Sequence, residues 1–109
     1  MNIAWVTGLF EGEGCIWKDP RSNSIRLSLN STDKDIIDRF HEMVGCGNVT
    51  PINFPPHKQH YKPAWDWHVH RARDVVRLLS QMLPYLGERR AYAALNALDV
   101  LELDRTRKL

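Results

Sequence analysis

The run Trp5-Val6-Thr7-Gly8-Leu9-Phe10-Glu11-Gly12-Glu13-Gly14-Cys15-Ile16-Trp17 restricts this chain more than any other stretch. Met1 to Phe10 carries almost no charge and is long enough for about two and a half helical turns, yet it closes on two carboxylates set among glycines. Read as a helix, it puts Glu11 in the last turn and Glu13 just beyond. Negative charge there opposes the macrodipole by about 0.3–1 kcal/mol per group, which a nearby cation would offset. A divalent metal is one such cation. Ala4, Gly8 and Gly12 fall at i, i+4 and i+8, so one side of the helix lacks side chains and a second helix backbone could approach it closely. Each interior glycine costs about 1 kcal/mol against alanine, which is understandable where close packing or a ligand recovers it. Gly14 stops the helix and Cys15-Ile16-Trp17 starts a strand, leaving Glu13 at a helix-to-strand junction beside a sheet edge.

The rest of the chain alternates in kind. Cys15–Lys18 and Ser24–Asn30 read as strands around the turn Asp19-Pro20-Arg21-Ser22-Asn23. In the second strand Ile25, Leu27 and Leu29 point one way, and Ser24, Arg26, Ser28 and Asn30 the other. Thr32 and Asp35 form a capping-box variant before Ile36, Ile37, Phe40, Met43 and Val44, and Gly45 ends that helix. A strand at Val49–Ile52, a proline-rich basic loop from Asn53 to Pro63 and a strand at Ala64–His70 follow, the last with Trp65, Trp67 and Val69 on its buried face. Val75, Val76, Leu78, Leu79, Met82 and Leu83 mark a helix that Pro84 ends or kinks. Glu88–Leu103 is a last helix with Ala91, Ala94, Leu95, Leu98 and Leu101 on one side, and residues 104–109 form a charged tail. The expected class is α+β, an antiparallel sheet with helices on one face.

Val6 to Gly14 resembles the signature of the LAGLIDADG homing endonucleases, matching at Gly8, Leu9, both acidic positions Glu11 and Glu13, and the closing Gly14. The element order is similar to that family's αββαββα core over nearly the whole chain. The resemblance implies a sheet forming a DNA-binding saddle, with Glu13 as the catalytic metal ligand and the Gly12 carbonyl beside it. We assign Glu11 a structural or packing role. The implied cofactor is Mg²⁺, with Mn²⁺ or Ca²⁺ able to take its place; Mg²⁺ suits oxygen ligands and retained waters. Ala4, Gly8, Leu9 and Gly12 would form a homodimer interface, since one signature per chain supplies one active centre for two strands of duplex DNA. Three departures stand out. Both acids are Glu rather than the commoner Asp, which adds a methylene and keeps the charge. The basic residue after Pro84-Tyr85-Leu86 falls on Arg89 or Arg90, where Lys is commoner; we assign it to Arg89. No Gln lies near Asn30–Asp33 to position water, although Thr32 or Asp33 could substitute.

Trp17, Lys18, Arg21, Asn23, Arg26, Ser28, Asn30, Asp66, His68 and His70 form the expected DNA-reading face: Arg and Asn suit purine edges, and Lys and Arg suit phosphates. With a formal net charge of +2, distribution rather than total charge must carry that reading. Hydrophobic content of 43% and charged content of 26% exclude a disordered chain and fit one soluble domain over residues 1–109. The chain holds no run of 18 apolar residues, basic leader or cleavage site, so no membrane partner is expected. Cys15 and Cys46 lack paired spacing, which suits free thiols in a reducing compartment, cytoplasm or organelle matrix. His57, His60, His68 and His70 lack the CxxC partner of a structural zinc site, and Gly12-Glu13-Gly14 is no dinucleotide fingerprint, so no small-molecule substrate is expected.

The function expected is site-specific, metal-dependent phosphodiester hydrolysis that makes a staggered double-strand break in a long pseudo-palindromic target, as for an intron-borne homing endonuclease. The alternatives are a catalytically inactive DNA-binding or intron-RNA-binding, maturase-like protein on the same scaffold, and an interaction module using the glycine ridge only for packing.

Overall fold

The computed structural model describes residues 1–58 and 60–107, with side chains through Asp104. Eight main elements follow in order: α1 (Ile3–Glu13), β1 (Gly14–Lys18), β2 (Ile25–Ser31), α2 (Lys34–Val44), β3 (Asn48–Pro51), β4 (Trp65–Val69), α3 (Ala72–Met82) and α4 (Glu88–Arg107). Short 3-10 turns lie at Pro56–Lys58 and Leu83–Tyr85. The four strands form one antiparallel sheet in the order β1-β2-β4-β3. This is the expected α+β layer arrangement, with helices packed on one sheet face. No helix among the described residues is long and apolar enough to cross a membrane.

Alternation in β2 decides which face is covered. Ile25, Leu27 and Leu29 are buried while Arg26 and Asn30 are exposed, and the register aligns Leu27 with Ile16 and Val69, and Leu29 with Trp67. Val6 and Phe10 of α1, Ile37, Phe40 and Val44 of α2, and Val75, Leu78, Leu79 and Met82 of α3 close over that layer. Trp67 is fully buried, meets Phe40 edge to face with centroids 4.8 Å apart, and donates its indole N–H to the Cys46 carbonyl at 2.9 Å. That bond ties the Gly45-Cys46-Gly47 turn to β4. Both glycines have positive φ, and a Cβ on Gly47 would meet the His68 carbonyl at 2.6 Å.

Several boundaries and faces differ from the sequence reading. Glu13 is the last residue of α1 rather than the first beyond it, and Asn2 caps the helix by accepting the Trp5 N–H at 3.1 Å. Asp33, not Thr32, occupies the N-cap of α2 and makes no side-chain cap bond, so the capping box does not form. The buried stripe of α4 is Ala94, Ala97 and Leu101, whereas Leu95 is exposed. Val76 is exposed as well. The start of the supposed tail is helical, because α4 runs to Arg107; residues 108 and 109 lie outside the described residues.

Candidate metal and nucleic-acid site

Burial of Val6, Thr7 and Phe10 fixes the rotation of α1 and thereby turns Ala4, Gly8 and Gly12 outward, all exposed. A Cβ built on Gly8 or Gly12 meets nothing within 4 Å. The glycine ridge therefore does not pack against a helix of its own chain. Leu9, beside it, is half-buried with Trp5.

Glu13 ends the same helix on the surface, without a hydrogen bond or ion pair among the described residues. It rims a shallow hollow of about 560 Å³ that also holds Asn30, Ser31, Thr32 and Asp33. Thr32, released from the cap, thus faces the hollow that Glu13 borders. The last carbonyls of a helix lack an internal N–H partner. Here that of Phe10 accepts the Gly14 N–H, and that of Glu11 accepts from Arg90 Nε at 2.8 Å. Gly12 lies next along the chain, beside Glu13. No group of three or more His, Cys, Asp or Glu able to hold a metal occurs among the described residues. One carboxylate and a neighbouring carbonyl suit a hard cation that keeps several waters and takes its remaining ligands from phosphate, as Mg²⁺ does.

The two arginines after the Leu83–Tyr85 turn separate. Arg90 is fastened to α1: it bonds the Glu11 carbonyl, lies 3.8 Å from Glu11 Oε2 and stacks over the Phe10 ring. Glu11 in turn accepts the Gly87 N–H at 3.3 Å, in keeping with the packing role expected for it. Arg89 is exposed and makes no hydrogen bond or ion pair among the described residues.

The uncovered sheet face gathers Trp17 from β1, Arg26, Ser28 and Asn30 from β2, and Asp66 and His68 from β4. Lys18 pairs with the buried Ile25 and so falls on the helix side, its ammonium donating to the Asp19 and Ser22 carbonyls at 3.1 Å. Asn23 also leans toward the helices, donating to Asp104 at 3.5 Å. Arg21 stays exposed in the β1–β2 turn, where Asp19 accepts its backbone N–H. His70 lies past the end of β4, in a hollow with Asn48, Arg71 and Arg73. Asp66 is mostly covered by its basic neighbours. Three residues on this face were missed by the sequence reading: Cys15 opposite Ser28, Asn48 opposite His68, and Thr50 opposite Asp66. A four-residue strand ending in proline shows no readable alternation, so only the pairing register reveals the last two.

No protein-family model matches the chain and no curated protein is similar to it in sequence. Solved structures are similar in fold. The homing endonuclease I-CvuI, in complex with its target in the presence of calcium, superposes with a TM-score of 0.71 at 20% identity, over 92% of this chain and 65% of that one. The LAGLIDADG meganuclease I-AabMI bound to uncleaved DNA gives 0.78 at 14% identity, over 99% of this chain and 38% of that one. The homing endonuclease I-TnaI gives 0.74 at 12%, over 97% and 75%. This chain therefore spans less than two thirds of I-CvuI and well under half of I-AabMI. At such identities the likeness lies in architecture, and that architecture is the fold of the LAGLIDADG homing endonucleases.

Proposed function

We propose that residues 1–109 act as one domain of a homodimeric, site-specific endodeoxyribonuclease that makes a staggered double-strand break in a long pseudo-palindromic duplex. The observation carrying this reading is the position of Glu13: a carboxylate without a partner among the described residues, at the end of a helix whose glycine ridge is uncovered on one side. Two such ridges can pack backbone to backbone about a twofold axis, bringing the two Glu13 side chains together and joining the two open sheet faces into one saddle. Mg²⁺, when bound, supplies Lewis-acid activation of the scissile phosphate. Glu13, with the Gly12 carbonyl beside it, would hold that ion. Arg89 is free to grip a phosphate through two N–H groups, and Trp17, Arg21, Arg26, Ser28, Asn30, His68 and His70 face the duplex. The free thiols of Cys15 and Cys46 suit a reducing compartment.

Plasmid and randomised-duplex cleavage in Mg²⁺ tests this. Glu13→Gln is expected to abolish cleavage and leave duplex affinity within about twofold of the parent, because the charge serves the ion and not the groove. Unchanged cleavage by that variant would overturn the assignment. Tight duplex binding with no cleavage by the parent would favour the inactive, maturase-like reading.

A further inference from the structure

The open sheet face carries a three-residue cluster that is more specific than a basic patch. Asp66 Oδ2 accepts from Arg26 Nη2 at 3.0 Å and from His68 Nδ1 at 2.9 Å. The carboxylate side chain is only 16% exposed, against 45% for Arg26 and 21% for His68. Asp66 is therefore the most covered of the three and lies well below the Arg26 guanidinium that it holds. The row of Asp66 holds Asn30 and Thr50 and that of His68 holds Cys15, Ser28 and Asn48, while Arg26 reaches over from the row it shares with Trp17, so no other charged side chain competes in the two rows of the carboxylate and the imidazole.

The chemistry fixes more than position. An ionised carboxylate can only accept, so Nδ1 of the His68 ring must carry a proton, and in the neutral form of the ring Nε2 is then an acceptor. Beside it stands a guanidinium, which can only donate. A donor fork matches guanine O6 and N7 in the major groove, and an acceptor matches the exocyclic amine of adenine or cytosine. Arg26 and Asp66 also cancel in charge. A neutral cluster adds little to sequence-independent phosphate attraction, which scales with net cations, and much to base discrimination.

We propose that Asp66 is a positioning residue that does not touch DNA: it aims Arg26 as a guanine reader and sets the His68 tautomer that reads an adenine or cytosine amine. This rests on the duplex-binding reading above and replaces a direct DNA contact for Asp66. Because partly exposed ion pairs contribute little to stability, the fold should survive loss of the carboxylate.

The test is enrichment of a randomised double-stranded DNA library by the parent, Asp66→Ala, Arg26→Ala, His68→Ala and the Asp66→Ala/Arg26→Ala double variant, each with a thermal melt. Asp66→Ala is expected to flatten two positions per half-site on the order of tenfold. One is the guanine position that Arg26→Ala also flattens, and the other is the position His68→Ala flattens, with total duplex affinity retained. Adding Asp66→Ala to Arg26→Ala should cause no further loss at the guanine position. Asp66→Asn keeps an acceptor oxygen at the same reach and should restore part of that preference. Additive losses in the double variant, or an Asp66→Ala effect confined to a position that neither Arg26 nor His68 controls, would overturn the proposal while leaving duplex binding intact. A parent that enriches no sequence would overturn both readings.

Discussion

Cys15 and Cys46 carry the same thiol in opposite surroundings. Cys15 is exposed on the open sheet face, whereas Cys46 is half-buried in the turn after α2. Burial pushes the Cys46 thiol above its usual range and the nearby Asp74 adds to that, while Arg77, 3.4 Å from the sulfur, pulls the other way by charge and by hydrogen bond. A thiolate is the reactive form, so a raised thiol is inert. Alkylation with iodoacetamide at pH 8 is therefore expected to label Cys15 first, followed by mass spectrometry of the native protein; equal rates would contradict the burial argument. The sign for stability follows. The folded chain holds this proton more tightly than the unfolded one, so the contribution is complete at neutral pH and is lost as pH rises beyond the ordinary thiol range. At the same scale, sequence was a poor guide to Lys18 and Asp66. Trp17 and Lys18 are both exposed, and nothing in composition says which of two adjacent residues faces the open side; only pairing with Arg26 and Ile25 does. Asp66 is covered by side chains reaching from another strand and from two residues along its own, a tertiary fact with no local signature.

Among the elements, α1 was the most legible, because its apolar face, its glycines and its closing acids all lie in one continuous stretch. β2 was equally plain, since its alternation is unbroken. α4 was not. Leu95 reads as core by hydrophobicity, but Ala94 and Ala97 are the residues turned inward, because a helix packed closely against its neighbours needs small side chains at the contact. Another hidden tie is the joint between α1 and the start of α4, made by Arg90 on the Glu11 carbonyl and, from the residue just before that helix, by the Gly87 N–H on the Glu11 carboxylate. Arg90→Ala removes a largely covered charged donor from an end-of-helix carbonyl, and is expected to destabilise the protein by about 1.5–3 kcal/mol. Arg89→Ala, with no partner of its own among the described residues, should leave stability within about 0.5 kcal/mol. Urea unfolding of both variants compares them directly, and equal losses would refute the division of roles.

For the whole molecule, the decisive quantity is mass in solution. The proposed saddle needs two chains, and the ridge proposed to join them is bare. The parent is expected to sediment as a dimer at micromolar concentration, free or on duplex DNA, and Gly8→Leu as a monomer with little or no double-strand cleavage. A monomeric parent under both conditions would refute the pairing. Gly8→Ala should also raise the melting temperature of the unpaired chain, since alanine gains about 1 kcal/mol of helix propensity over glycine and no atom lies in its way. Any sequence-optimisation campaign that scores only the resistance of single chains to unfolding would therefore rank alanine above glycine at position 8 and report success. On the proposed pairing, the improved proteins would be well expressed and heat-resistant but less tightly paired, because each methyl holds the two helix backbones further apart. The fitness of that glycine would then be visible only to a selection that demands a cut duplex.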